Sequence, residues 1–82
     1  MNMPSISQFK RFDVRPLIAR GAEPLPEIRE RVQLLKDHEG LIIIAPFLPS
    51  PLIEFLGSQG FHAKVERGND NGWIVYFWRQ DG

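Results

Sequence analysis

The spacing of apolar residues changes along the chain, and its two periods distinguish helices from strands. After the prolines at 24 and 26, apolar side chains recur every three or four residues, as on one side of a helix: Leu25, Ile28, Val32 and Leu35. A second, shorter helix is predicted from Ser50, with Pro51 in its first turn and an apolar stripe formed by Leu52, Phe55 and Leu56. The pattern therefore predicts two short amphipathic helices.

Four other segments have the character of strands. Phe9–Val14 predicts a short first strand, and Arg15–Ala22, which contains a proline and a glycine, predicts a loop. Leu41–Ala45 is wholly apolar, which is typical of a strand that is covered on both sides or has an apolar outer side. Phe61–Arg67 alternates between apolar and polar residues as far as Glu66 and is separated from Trp73–Trp78 by a turn rich in glycine, asparagine and aspartate, so the two predict a hairpin.

The resulting order, βαβαββ, predicts an α+β fold in a single domain. A chain of 82 residues has the length of one domain, which we place at residues 9–82, after a flexible N-terminus at residues 1–8. A strand, a helix and a strand in succession favour parallel pairing of the first two strands.

Composition excludes several classes of function. The chain has no cysteine, which excludes disulfides, thiolate metal sites and thiol nucleophiles. Ten Lys and Arg balance ten Asp and Glu, so binding to nucleic acid through phosphate neutralisation is not favoured. Residues 1–8 have no Lys or Arg and no apolar run, which argues against a signal peptide, and no apolar run approaches the ~20 residues of a membrane span. We expect a cytoplasmic protein that does not contact a membrane.

Residues with catalytic or metal-binding chemistry are few. His38 and His62 are not accompanied by further ligands at a zinc-binding spacing, so we expect no metal and no cofactor. Asp13, Arg15 and Glu23 could form an acid–base set, but nothing in their spacing fixes a common geometry, and a plain salt-bridged strand end is the favoured interpretation. We expect the protein not to be an enzyme.

Several motifs resemble those of the TusA/SirA-like sulfur carriers, which share the βαβαββ order and a Pro-x-Pro opening on the first helix, here Pro24-Leu25-Pro26. The chain is more similar to a TusA-related family of unknown function, whose members often accompany hemerythrin-like domains. That similarity is carried by Asp13-Val14-Arg15, Glu23-Pro24-Leu25 and Ile44-Ala45-Pro46-Phe47, together with a last strand that contains tryptophan. The resemblance implies a two-layer α/β sandwich with a mixed four-stranded sheet of order 1-2-4-3 and both helices on one face.

The resemblance also indicates a site at the start of the first helix. The sulfur carriers have Cys-Pro-x-Pro there, whereas this chain has Glu23, and a carboxylate cannot carry sulfane sulfur. The position implies a ligand pocket at the helix N-terminus, with these candidate residues: Asp13, Arg15, Glu23, Pro24 and Pro26. The alternative is that Glu23 only caps the helix.

The last strand indicates a second candidate surface. Both alternating sets of Trp73–Trp78 are apolar, yet only one set can face the helices. In the implied strand order the outer set would join one set of Leu41–Ile44 in an apolar band, and we predict an interface of five residues: Ile42, Ile44, Ile74, Tyr76 and Trp78. The alternative is that side chains such as Lys64 cover the band.

These features favour a non-catalytic binding or regulatory module that interacts with a partner protein, or with a second copy, through the open face of the sheet. The alternative is an RNA-binding module, because the layout is also similar to the C-terminal domain of translation initiation factor three and aromatic residues on a sheet can stack on bases.

Overall fold

A four-stranded mixed sheet forms one layer of the domain. The computed structural model describes residues 3–68, 70 and 72–79. The strands are β1 (Phe9–Asp13), β2 (Gly40–Ala45), β3 (Phe61–Arg67) and β4 (Trp73–Arg79). Their order is β1-β2-β4-β3, with β1 parallel to β2 and the other pairs antiparallel. The predicted α+β fold, its strand order and its hairpin are confirmed.

Three helices, rather than the predicted two, lie on one side of the sheet. They are α1 (Arg15–Ala19), α2 (Leu25–Gln33) and α3 (Ser50–Ser58), and a 3₁₀ turn at Ile6–Gln8 precedes β1. The buried stripes of α2 and α3 are those the periodicity predicted, with Ile28, Val32, Leu52 and Leu56 in the core.

The prediction of a loop at Arg15–Ala22 is wrong, because α1 occupies its first five residues. Pro16 stands in the first turn of α1, where its fixed backbone angle suits a helix and no intrahelical N–H is required. Leu17 and Ile18 then pack against the core, which a polar surface loop would not do. Gly21 follows the helix with a φ of 78° and lets the chain turn towards α2.

The core lies between the helices and the inner side of the sheet. Leu41 and Ile43 of β2 and Val75 and Phe77 of β4 are completely buried there. Since side chains alternate along a strand, Ile74, Tyr76 and Trp78 lie on the outer side, away from the helices. The structure thereby decides which of the two apolar sets of the last strand is the outer one.

Candidate functional site

An apolar cleft opens where the carboxyl ends of the parallel strands β1 and β2 meet the first turns of α2 and α3. Its volume is about 320 Å³. Ile43 and Ala45 of β2 line it from the sheet, and Ile28, Leu52 and Phe55 line it from the helices. Crevices at the carboxyl ends of parallel strands are a common place for ligands in open sheets. The cleft is therefore a candidate binding site by position as well as by shape.

Prolines surround the cleft at the starts of both helices. The helix α2 begins with Pro24-Leu25-Pro26 and the helix α3 with Pro49-Ser50-Pro51, and in each motif the first proline is the residue before the helix. Proline has no backbone N–H, so each helix start presents fewer donors to an anion than a helix without prolines would. The cleft consequently favours apolar groups over anionic ones.

Glu23 lies at the mouth of this cleft and is the only charged residue among the described residues that line it. Its side chain is exposed and forms neither a hydrogen bond nor an ion pair with the part of the chain that the structure describes. The helix α2 has no side-chain capping hydrogen bond, so the alternative that Glu23 caps it is wrong. The carboxylate is therefore open to a group that enters from outside.

The other predicted pocket residues do not line the cleft. Pro24 lies in it beside Glu23, but Asp13, Arg15 and Pro26 are absent from its walls. Pro26 lies instead on the outer surface of α2, near Glu27 and Glu30. The cleft thus lies at the start of the predicted helix and contains two of the five predicted residues, Glu23 and Pro24, and the predicted ligand site stays a prediction.

Asp13 and Arg15 form an ion-pair cluster at the other side of the strand end. The Arg15 guanidinium donates from Nε to Asp13 Oδ1 over 2.9 Å and from Nη2 to Asp13 Oδ2 over 2.7 Å, and its Nη1 donates to Asp70. The Arg15 backbone N–H also donates to Asp13 Oδ1, over 3.0 Å. The cluster joins the end of β1 to the turn between β3 and β4. It supports the simpler alternative of a salt-bridged strand end, with Glu23 outside it.

This cluster predicts a loss of stability in acid. The hydrogen bonds from Arg15 hold the pKa of Asp13 below its ordinary value of 3.8, although partial burial opposes them. Because that pKa is lower in the folded state, the stabilisation is present above about pH 4 and is lost as the pH falls further. We expect Asp13→Asn to lower the free energy of unfolding at pH 7 by no more than about 1 kcal/mol, since the pair is partly exposed.

Urea denaturation between pH 3 and pH 7 measures this effect. The difference between the wild type and Asp13→Asn should shrink towards the acid end of the series. Asp37→Asn removes an exposed carboxylate that has no ion pair among the described residues, and it should leave the free energy of unfolding at pH 7 unchanged. A constant difference between wild type and Asp13→Asn at every pH would show that the ion pair is not its cause.

The outer side of the sheet has an apolar centre and charged edges. Cross-strand partners form three rows there: Phe9, Gly40, Trp78 and His62; Arg11, Ile42, Tyr76 and Lys64; Asp13, Ile44, Ile74 and Glu66. Aromatic rings gather at one end of this face, where Phe9 lies edge-on to Tyr76 with ring centres 5.6 Å apart, and His62 lies 5.4 Å from Trp78.

Neighbouring side chains cover much of this band. The Tyr76 hydroxyl donates to Glu66 over 3.1 Å, and Lys64 lies 3.4 Å from the other oxygen of Glu66. Burial, together with Glu66, raises the pKa of Tyr76. Four of the five predicted interface residues are half-buried, whereas Ile44 is only 3% exposed and cannot contact a partner without rearrangement. Ile44 therefore offers almost no surface to a partner, whereas Ile42, which is equally central between Arg11 and Tyr76, is half-buried; the predicted interface as a whole stays a prediction.

The described residues contain neither a cluster of metal ligands nor a helix that could span a membrane. Within residues 3–68, 70 and 72–79, no three His, Asp or Glu side chains converge on a position where they could hold a metal ion. None of the helices in those segments is long and apolar enough to cross a bilayer.

Most of the residues that line the cleft could not be predicted from the sequence. Its walls include Val14, Ile18 and Phe47, which come from the end of a strand, an unpredicted helix and a loop. One signal was present in the sequence, since Pro49-Ser50-Pro51 repeats the Pro-x-Pro opening of the first helix. The 53% exposure of Phe47 left no such signal, because Phe47 belongs to no regular element and hydrophobic periodicity does not apply to it.

Comparison with known proteins identifies the family of the chain. Residues 11–79 match the model of a family described as an uncharacterised conserved protein (DUF2249). No curated protein and no solved structure matches the chain. The resemblance to the sulfur carriers and to proteins that contain hemerythrin-like domains stays a prediction. Since the matched segment includes the cleft, the strand-end ion pair and all of the sheet except the start of β1, the chain belongs to the DUF2249 family of uncharacterised conserved proteins.

Proposed function

We propose that this domain is a non-catalytic binding module that accepts an apolar group in the cleft between α2, α3 and the ends of β1 and β2. The cleft itself is the observation that carries the proposal. Its volume of about 320 Å³ falls at the lower end of the range of ligand sites, which are lined mainly by apolar side chains with a few polar groups.

The chemistry of the cleft supports binding rather than catalysis. Glu23 has no histidine, lysine or second carboxylate beside it in the cleft lining with which it could share acid–base work. The chain has no cysteine, and neither serine nor threonine is among the described lining residues. A lone carboxylate without a nucleophile, an oxyanion site or a partner acid or base has little to act with.

Exposed apolar side chains near the cleft support an interaction with another molecule. Phe47 is 53% exposed and Leu48 is 40% exposed, and both stand in the loop that leads from β2 into α3. An exposed apolar pair next to an apolar cleft is typical of a binding surface. The outer face of the sheet remains a second proposed surface for a partner protein or a second copy, but its apolar band offers less exposed area because Lys64, Glu66 and Phe9 partly cover it.

One observation favours RNA binding as an alternative, namely the aromatic group of Phe9, Tyr76, Trp78 and His62 on the outer face. The charges on that face weigh against it. Arg11 and Lys64 at the edges are matched by Asp13 and Glu66 in the next row, so the face has no excess of positive charge for phosphates.

An uncharged fluorescent probe tests the proposed function. N-phenyl-1-naphthylamine becomes more fluorescent in an apolar site, and we expect saturable binding to the wild type. Leu25→Trp enlarges a half-buried side chain that lines the cleft and should weaken binding at least about tenfold, because it fills the space an apolar ligand would occupy. Leu34→Trp, on an exposed residue at the other end of α2, is the matched control and should bind as the wild type does. The proposal would be refuted if Leu25→Trp bound the probe as tightly as Leu34→Trp does, or if the wild type showed no saturable binding.

A further inference from the structure

We infer that the occupant of the cleft is a segment of a partner polypeptide that inserts one apolar side chain and places a lysine or arginine next to Glu23. The inference rests on the proposed function, since it requires that the cleft accept an apolar group. It adds the charge and the molecular class of the ligand.

The charge of the ligand follows from the rim of the cleft. Glu23 is exposed and forms no ion pair with any described residue, whereas Glu27, one turn further along, is held by Arg31 over 2.8 Å. A ligand with a negative group would meet the Glu23 carboxylate and a helix start that lacks the N–H groups of Pro24 and Pro26. A ligand with a positive group would meet an unpaired carboxylate. Arg29 lines an adjoining groove with Glu23, but its guanidinium packs over the Phe55 ring at 4.9 Å and forms no ion pair with Glu23, so the rim favours a cation.

The class of the ligand follows from the surface around the cleft. Phe47 reaches the cleft wall, but Leu48 lies outside it and is 40% exposed. A small molecule that only filled the cleft would leave Leu48 in water, whereas a polypeptide could seat an anchor side chain in the cleft and cover the adjoining loop. Protein interfaces have this form, with an apolar anchor in a pocket and charged contacts at the rim.

Three short peptides, acetylated and amidated at their ends, test the inference. The first has the sequence Gly-Phe-Lys-Gly, the second Gly-Phe-Glu-Gly and the third Gly-Ala-Lys-Gly. Binding is followed by the ¹H–¹⁵N shifts of the residues that line the cleft. We expect the first peptide to bind about two- to fivefold more tightly than the second, as an exposed ion pair allows, and the third to bind at least about tenfold more weakly because it lacks the anchor.

Two variants assign the charge preference to one residue. Glu23→Gln should bring the affinities of the first two peptides together, and 0.5 M salt should do the same in the wild type. Glu30→Gln, which removes an exposed carboxylate of α2 that does not line the cleft, should leave their ratio unchanged.

Each failure has a distinct meaning. A ratio that survives in Glu23→Gln, or tighter binding of the peptide with glutamate, would overturn the inferred charge. The absence of cleft shifts with any peptide, while N-phenyl-1-naphthylamine still binds, would overturn the polypeptide and leave the proposed function intact. If the uncharged probe does not bind either, the proposed function itself fails.

Discussion

Replacing Gly40 with alanine is expected to lower the free energy of unfolding by about 2–3 kcal/mol, a large effect for the addition of one methyl group. Gly40 is the first residue of β2 and pairs with Phe9 on one side and Trp78 on the other. A Cβ at this position would lie 2.6 Å from Cδ2 of the Phe9 ring, in contact with its Cε2, and 2.7 Å from the carbonyl oxygen of Phe77. The ring can move, but the carbonyl oxygen belongs to the ladder between β2 and β4 and cannot.

Gly57→Ala is the matched control for this prediction. Gly57 lies inside α3, and a Cβ there would meet no heavy atom within 4 Å. We expect this variant to be more stable than the wild type by about 0.5–1 kcal/mol, because alanine is a better helix former than glycine. Urea denaturation of both variants measures the two opposite changes. The double variant Gly40→Ala/Phe9→Ala is compared with Phe9→Ala alone. If alanine at position 40 costs no stability once the Phe9 ring is absent, the ring alone accounts for the clash, and the role given to the Phe77 carbonyl is wrong.

The role of Gly40 shows what periodicity misses. In the sequence it stands between a polar stretch and an apolar strand, where a glycine is naturally interpreted as the end of a helix. In the structure the helix α2 has already ended at Gln33, and Gly40 begins the strand. Its lack of a side chain lets the Phe9 ring cross the sheet and approach Tyr76 and Trp78. A contact between residues so far apart in the chain leaves no signal in local spacing.

The fold could be predicted because its main elements have clean periods. The stripe from Leu25 to Val32 and the alternation from Phe61 to Glu66 each lie within one observed element, although Leu35 of the stripe is buried beyond the end of α2 at Gln33. The helix α1 lacks such a signal, since five residues are too short for a period, and Pro16 within it and Gly21 just after it favour a loop by composition. Leu17 and Ile18, the apolar residues of α1, indicate a packed element only once their contact with the core is known.

The candidate site could be predicted in position but not in character. The cleft lies where the candidate site was placed, at the start of α2, and Glu23 and Pro24 line it, while its role in binding stays a prediction. Asp13 and Arg15 were grouped with them because the chain brings them close in sequence, yet their side chains pair with each other and with Asp70 on another side of the strand end. The apolar walls come from the end of β1, from α1, α2, β2 and α3, and from the loop between β2 and α3, so only the folded chain assembles them.

The second prediction with a large effect concerns the two sides of β4. Phe77 is completely buried, and Phe77→Ala is expected to cost about 3–5 kcal/mol through lost burial and the cavity it leaves. A domain of 82 residues has a total stability of only about 4–12 kcal/mol, so this cost is at least about a quarter of the total and, at the lower end of that range, most of it. Tyr76→Ala removes a ring of similar size from the half-exposed outer side, with one hydrogen bond to Glu66, and should cost less than half as much.

Urea denaturation of both variants at two protein concentrations, a hundredfold apart, tests whether a second copy of the chain buries the outer face of the sheet. For a monomer the costs of Phe77→Ala and Tyr76→Ala should be the same at both concentrations. If Tyr76→Ala instead costs as much as Phe77→Ala, and only at the higher concentration, the outer side is buried by a second copy and the sheet-face homodimer is the correct interpretation. If Tyr76→Ala is the costlier variant at both concentrations, the assignment of Phe77 to the core is wrong, and with it the register that places Ile42 and Tyr76 side by side on the outer face.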